Sequence, residues 1–83
     1  MIVENADLAR VGRIFGEQLG LEVPTPETDL IETGLLDSLA LVELLLGLEE
    51  EFGVEVPLAE LEIESFRSVR SIAAYVGSLA ATP

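Results

Sequence analysis

The segment GLLDSLALVELLLGLEEEF, residues 34–52, constrains this chain more than any other. From Ser38 onward it reads as one helix, yet apolar residues fall on nearly every side. A surface helix in a small protein normally buries one stripe and wets the rest. Setting Ser38 at zero and turning about 100° per residue puts Leu41, Leu44, Leu45, Leu48 and Phe52 in one arc. That arc can face a core, where each such side chain contributes about 1.5–3 kcal/mol. Leu39, Val42, Glu43, Leu46 and Glu50 fall on the other side. Two uses for this second face are open. The long segment before the helix can cover it, since Leu30 and Ile31 also need neighbours. Alternatively it is a docking surface, with leucines for contact area and glutamates for a partner's arginines or lysines. The two can share residues, with Val42 covered and Leu39 and Leu46 open.

The rest of the chain supplies partners for the buried arc. With 83 residues it forms one domain, 1–83. A first helix is expected over about 5–19, its stripe made by Leu8, Val11, Ile14, Phe15 and Leu19, with Gly20 as a left-handed cap. A loop over 20–36 follows, because Pro24 and Pro26 forbid a helix there. Leu30, Ile31 and Leu35 are its candidate anchors. The leucine-rich helix spans about 38–52 and stops at Gly53. Pro57 suits the first turn of a short helix over about 57–61. A last helix over about 69–80 begins after a Ser68 cap, with Val69, Ile72, Ala73, Val76 and Leu79 or Ala80 as its stripe. Residues 81–83 are expected to fray. No strand is expected. The fold class is all-α, a bundle of three main helices and one short one with a long first loop.

Composition narrows the function. Acids outnumber bases 16 to 4, for a net charge of -12. A chain with so few cations has no footprint for nucleic-acid phosphates or for an anionic membrane. Its acidic surface suits basic patches on partner proteins. The chain contains no cysteine and no histidine, which removes thiolate and histidine metal sites and a histidine general base. The acids of Glu49 to Glu51 point in three directions around a helix, and no metal site is expected. No segment has the length of a membrane span or the pattern of a secretory signal, so a cytoplasmic monomer is the expectation. Gly47 costs its helix about 1 kcal/mol relative to alanine; a close approach by a partner or by the last helix would account for it.

Asp37 is placed to cap the leucine-rich helix, a contact worth about 1 kcal/mol. Ser38 is then the first helical residue with its hydroxyl free. Helix N-termini favour anions, so a phosphate ester on Ser38 would be well placed. Ser38 cannot act as a nucleophile unaided, because the chain has neither histidine nor lysine to take its proton. If this hydroxyl reacts, another enzyme must activate it.

On these residues the chain resembles the acyl carrier protein family. Asp37-Ser38-Leu39, Val42-Glu43-Leu44, Leu48-Glu49-Glu50-Glu51-Phe52-Gly53 and Val56-Pro57 follow the family spacing without a gap. The resemblance implies a four-helix bundle with 4′-phosphopantetheine, taken from coenzyme A, esterified to Ser38. It implies a non-catalytic carrier that holds an acyl or aminoacyl cargo as a thioester. The implied partners are a phosphopantetheinyl transferase, an adenylating ligase or acyltransferase that loads the cargo, and a downstream acyltransferase or synthase. Family recognition surfaces map onto Asp37, Leu39, Glu43, Leu46, Glu49 and Glu50. Ala40 stands where fatty-acid-synthesis carriers have a second aspartate. The style is more similar to stand-alone D-alanyl, aminoacyl and natural-product carriers. The alternative reading of the same face is an unmodified acidic adaptor that binds a partner through Leu39, Val42 and Leu46.

Overall fold

A computed structural model describes residues 3–57, 59 and 61–81. Three α-helices carry the architecture: α1 (Val3–Arg13), α2 (Ser38–Phe52) and α3 (Val69–Ala81). A short 3-10 turn, Ile63–Phe66, leads into α3. Among the described residues there is no strand, and the all-α class stands. The short helix expected over 57–61 includes Leu58 and Glu60, which lie outside the described residues, as do Thr82 and Pro83.

One core joins all three helices. Val11, Ile14 and Phe15 meet Leu44, Leu45 and Leu48 of α2 and Val69, Ile72, Ala73 and Val76 of α3. Leu41 and Phe52, expected inside the core arc, are only half-buried at its edge. The Arg10 guanidinium lies 4.1 Å from the centre of the Phe52 ring, which shields that edge through cation–π attraction. Phe66 and Tyr75 meet edge to face, 5.5 Å between centroids.

The first helix differs from expectation at its end. Beyond Arg13 it widens into a π turn, Ile14–Gln18, where the Leu19 N–H donates to the Ile14 carbonyl at 3.2 Å. The wider turn buries the adjacent Ile14 and Phe15 together. It also brings this segment against Gly47. A Cβ added at Gly47 would lie 2.7 Å from Gln18 Oε1 and 2.9 Å from Ile14 Cγ2. The close neighbour of Gly47 is therefore the end of the first helix, and the last helix is not what it meets.

The long loop is pinned on the α3 side. Leu30 is fully buried, and its N–H donates to the Arg67 carbonyl at 2.7 Å. Asp29 Oδ1 accepts from the Ile31 and Glu32 N–H groups, closing an Asx turn. The Arg70 N–H donates to the Pro26 carbonyl. At the head of α3, Ser68 and Ser71 exchange side-chain-to-backbone hydrogen bonds at 3.1 and 3.0 Å. This is a capping box with serine in place of the usual glutamate. Leu36, a loop anchor that periodicity does not single out, is buried in the core, and its N–H donates to the Leu30 carbonyl at 3.0 Å.

Candidate functional site

The loop leaves the second face of α2 open. Leu39 is 70% exposed, Leu46 58% and Val42 54%. The possibility that the loop covers this face is thereby ruled out, and Val42 is as open as its neighbours. Glu43 and Glu50 are exposed between these side chains, forming an apolar and acidic ridge along the helix.

At the head of the ridge, Asp37 is the N-cap. Its Oδ1 accepts from the Ala40 N–H at 2.8 Å, and its carbonyl accepts from the Leu41 N–H at 2.8 Å. Ser38 follows as the first helical residue and is exposed. Among the described residues nothing hydrogen-bonds its hydroxyl, and the Ser38 and Leu39 N–H groups donate to no described acceptor. Free N–H groups at a helix start are donors for an anion. An exposed hydroxyl beside such donors fits a phosphodiester.

Ser38 stands at the head of one row. Ser38, Val42, Leu45 and Glu49 fall at i, i+4, i+7 and i+11, so they share a face. The row runs about 16 Å along the axis from Ser38 to Glu49 and enters an apolar groove at Val42, about 6 Å from Ser38. The groove encloses about 640 Å³ and is walled by Val42, Leu46, Glu49, Val56, Pro57 and Leu79. It lies between α2, the extended stretch after Gly53, and α3. A second groove, about 280 Å³, lies across the ridge between Leu19, Leu21, Leu35, Leu39 and Ala40, with Asp37 and Glu43 at its rim.

Periodicity alone does not find Val56, Pro57 and Leu79 as groove walls. The alternation in GVEVP is the one signal for Val56, and it marks an extended stretch with no partner strand. Of the expected partner-face residues, Asp37, Leu39, Val42, Glu43, Leu46 and Glu50 are exposed. Glu49 differs: it is half-buried, and its Oε2 accepts from the Val56 N–H at 3.1 Å.

The charges are sorted by region. Arg67 Nη1 pairs with Asp29 Oδ2 at 3.0 Å and Nη2 with Glu64 Oε2 at 3.0 Å. Arg70 pairs with Glu27 at 2.7 Å, and Arg10 with Glu51 at 3.0 Å. The Glu32 N–H and the Arg67 guanidinium hold the Asp29 carboxyl below its ordinary range. Arg67 does the same for Glu64. Asp37, Glu43, Glu49 and Glu50 pair with no cation among the described residues. No described helix is long and apolar enough to cross a membrane.

Comparisons with known proteins agree with this geometry. The family described as "Phosphopantetheine attachment site" matches residues 9–76. A D-alanyl carrier protein of Leuconostoc mesenteroides is 38% identical over 66 residues, 80% of this chain and 81% of that protein. A D-alanyl carrier protein of Leuconostoc citreum is 33% identical over 79 residues, 95% of this chain and 97% of that one. An acyl carrier protein of Syntrophobacter fumaroxidans is 42% identical over 65 residues, 76% of this chain and 78% of that one. The chain belongs to the phosphopantetheine-dependent acyl carrier protein family and is a carrier that bears covalent 4′-phosphopantetheine.

Proposed function

We propose that Ser38 is the attachment residue and that this chain is a discrete acyl or aminoacyl carrier. The observation that carries the reading is the exposed, unpartnered Ser38 hydroxyl at the first position of α2, heading the row that leads to the groove. In the loading step the Ser38 oxygen forms a phosphodiester bond with the pantetheine phosphate of coenzyme A. The phosphoanhydride breaks and adenosine 3′,5′-bisphosphate leaves. The hydroxyl proton passes to a base of the transferase, since this chain has no histidine or lysine. The Ser38 and Leu39 N–H groups then donate toward the phosphodiester, which offsets its repulsion from Asp37.

When bound, the arm supplies a thiol that holds the cargo as a thioester. The chain contributes position and shelter, and catalyses nothing itself. Val42, Leu46, Val56 and Leu79 offer an apolar wall that keeps water from a group lying along the row. Leu39, Val42 and Leu46, rimmed by Asp37, Glu43, Glu49 and Glu50, form the docking face for the transferase, the loading ligase or acyltransferase, and the receiving acyltransferase or synthase. Their shared requirement is a basic surface with an apolar centre.

For the pathway, we favour D-alanyl, aminoacyl or specialised natural-product chemistry over housekeeping fatty acid synthesis. Two similar proteins are D-alanyl carriers, and Ala40 leaves the first turn of α2 without an acid. A cytoplasmic monomer fits the charge of -12, which opposes self-association.

The test is intact mass after incubation of the apo-protein with coenzyme A and a broad-specificity phosphopantetheinyl transferase. One added arm, absent in Ser38→Ala, is the expected result. An unchanged mass, or an equal gain in Ser38→Ala, refutes the assignment. A Ser38→Ala chain that retains full function in cells would favour an unmodified adaptor acting through the same face.

A further inference from the structure

Glu49 holds two positions at once. Its carbonyl accepts from the Gly53 N–H at 2.9 Å, closing α2 at a left-handed glycine. Its carboxylate reaches past that turn to the Val56 N–H at 3.1 Å. Residues 54–57 run extended after Gly53, and no other hydrogen bond within the described residues holds them. Pro57 has no N–H to offer. What keeps the stretch against α2 is this one contact and the burial of Val56, which is 5% exposed. The same stretch forms one wall of the groove through Val56 and Pro57, and Glu49 forms part of the opposite wall.

The Glu49 carboxylate also faces a competing demand. It sits at the margin of the acidic ridge with Glu50 beside it and Glu55 across the groove, and no arginine of this chain pairs with it. The Val56 N–H bond to this carboxylate is charge-assisted through its acceptor alone, since the donor is neutral. A guanidinium adds the opposite charge and can engage both carboxylate oxygens as a fork, so it competes with the Val56 N–H for Oε2.

We infer that Glu49 couples docking to the groove: a basic side chain of a partner that engages Glu49 draws its carboxylate from the Val56 N–H and loosens residues 54–57. Docking and groove opening then share one group. Glu49 is a positioning residue, distinct from Glu43 and Glu50, whose carboxylates hold no part of the groove. The inference rests on the docking reading above and adds to it a consequence for the groove.

The test reads Val56 amide exchange by NMR in the isotope-labelled full chain. In the free protein, Glu49→Ala should raise Val56 exchange about tenfold and leave Leu44 and Leu48 amides unchanged. Glu49→Gln, which keeps an accepting oxygen, should retain most of the protection. Unchanged Val56 exchange in Glu49→Ala overturns the inference. If Glu49→Ala loosens the whole domain, Glu49→Gln decides: protection kept supports the contact, protection lost overturns it. Adding a saturating phosphopantetheinyl transferase without coenzyme A should raise Val56 exchange about threefold or more in the native chain. In Glu49→Ala it should add little. Unchanged or slower exchange at Val56 in the complex overturns the coupling. Coenzyme A is then added to the same samples. An arm on Ser38 with Val56 unmoved sinks the coupling alone. No arm, with Val56 released by Glu49→Ala, sinks the carrier assignment and leaves the contact standing. Absent binding and absent modification overturn both.

Discussion

Where the first loop meets the head of α3, acids and arginines are matched. Arg67 holds Asp29 and Glu64, and Arg70 holds Glu27. Along the open ridge of α2, Glu43, Glu49 and Glu50 pair with no cation among the described residues, and Leu39, Val42 and Leu46 stand exposed between them. The two regions share a chain with only four cations. Three of these, Arg10, Arg67 and Arg70, pair with acids outside the ridge. The matched region ties the loop down, and the unmatched region is the face proposed for contact with other proteins.

The largest effects should separate the two faces of α2 itself. Leu44 is fully buried, and Leu44→Ala should cost about 2–5 kcal/mol in urea denaturation. Leu46→Ala, on the ridge, should move stability by no more than about 0.5 kcal/mol while slowing loading. Equal losses at both positions would mean that the ridge is structural.

A smaller effect is expected at Gly47. An added methyl gains about 1 kcal/mol of helix propensity. It must also displace Gln18 Oε1 at 2.7 Å and Ile14 Cγ2 at 2.9 Å. The Gln18 end can swing away, but the branched Ile14 is fully packed. Gly47→Ala should therefore destabilise by about 1–2 kcal/mol net, and Gln18→Ala in the same chain should recover only part. A stabilised Gly47→Ala would show that the π turn yields to its neighbour.

These positions also show what was legible in the sequence. The bounds of α2 were legible because their causes are local: Asp37 caps, an apolar arc repeats, and Gly53 takes φ 64. Leu30 was legible as an anchor because an apolar residue in a polar loop has to be buried. The π turn was not, since one extra residue per turn over so short a span leaves no period to read. The neighbour of Gly47 and the groove walls at Val56 and Leu79 depend on how distant segments pack. Ser38 and Asp37 stood out by type and position, whereas the acceptor role of Glu49 needed the turn at Gly53 to be seen. The family resemblance alone places that carboxylate on the partner face.

Charge reversal compares the two regions directly. Glu43→Lys or Glu50→Lys should slow transfer by a cognate loading enzyme about tenfold, with a weaker effect at high salt. Circular dichroism should be unchanged. Glu27→Lys removes an exposed ion pair on the matched side and should leave loading at its native rate, with a stability change of at most about 1 kcal/mol. Loss of helix in Glu43→Lys would place that acid in the fold. Slowed loading in Glu27→Lys would extend the docking face to the loop.

The smallest effect is a pH dependence on the matched side. The Asp29 carboxyl is held below its ordinary range in the folded chain by the Glu32 N–H and by Arg67. Its contribution is fully present above the unfolded carboxylate pKa, about 4, and is lost as pH falls through the lower folded value. Asp29→Asn should then lower stability at pH 7, and the gap to the native chain should close as pH drops below about 4. Glu64→Gln should follow the same course with a smaller gap, since Glu64 is the more exposed partner of Arg67. Native stability as a whole need not fall with acid, because protonation also relieves the repulsion among sixteen acids. The difference between the chains isolates Asp29 from that background, and Glu43→Gln gives the matching control. Glu43 pairs with no cation among the described residues, so Glu43→Gln removes no ion pair and should leave stability at pH 7 close to that of the native chain. A gap at Glu43 as large as that at Asp29 would erase the contrast between the two regions.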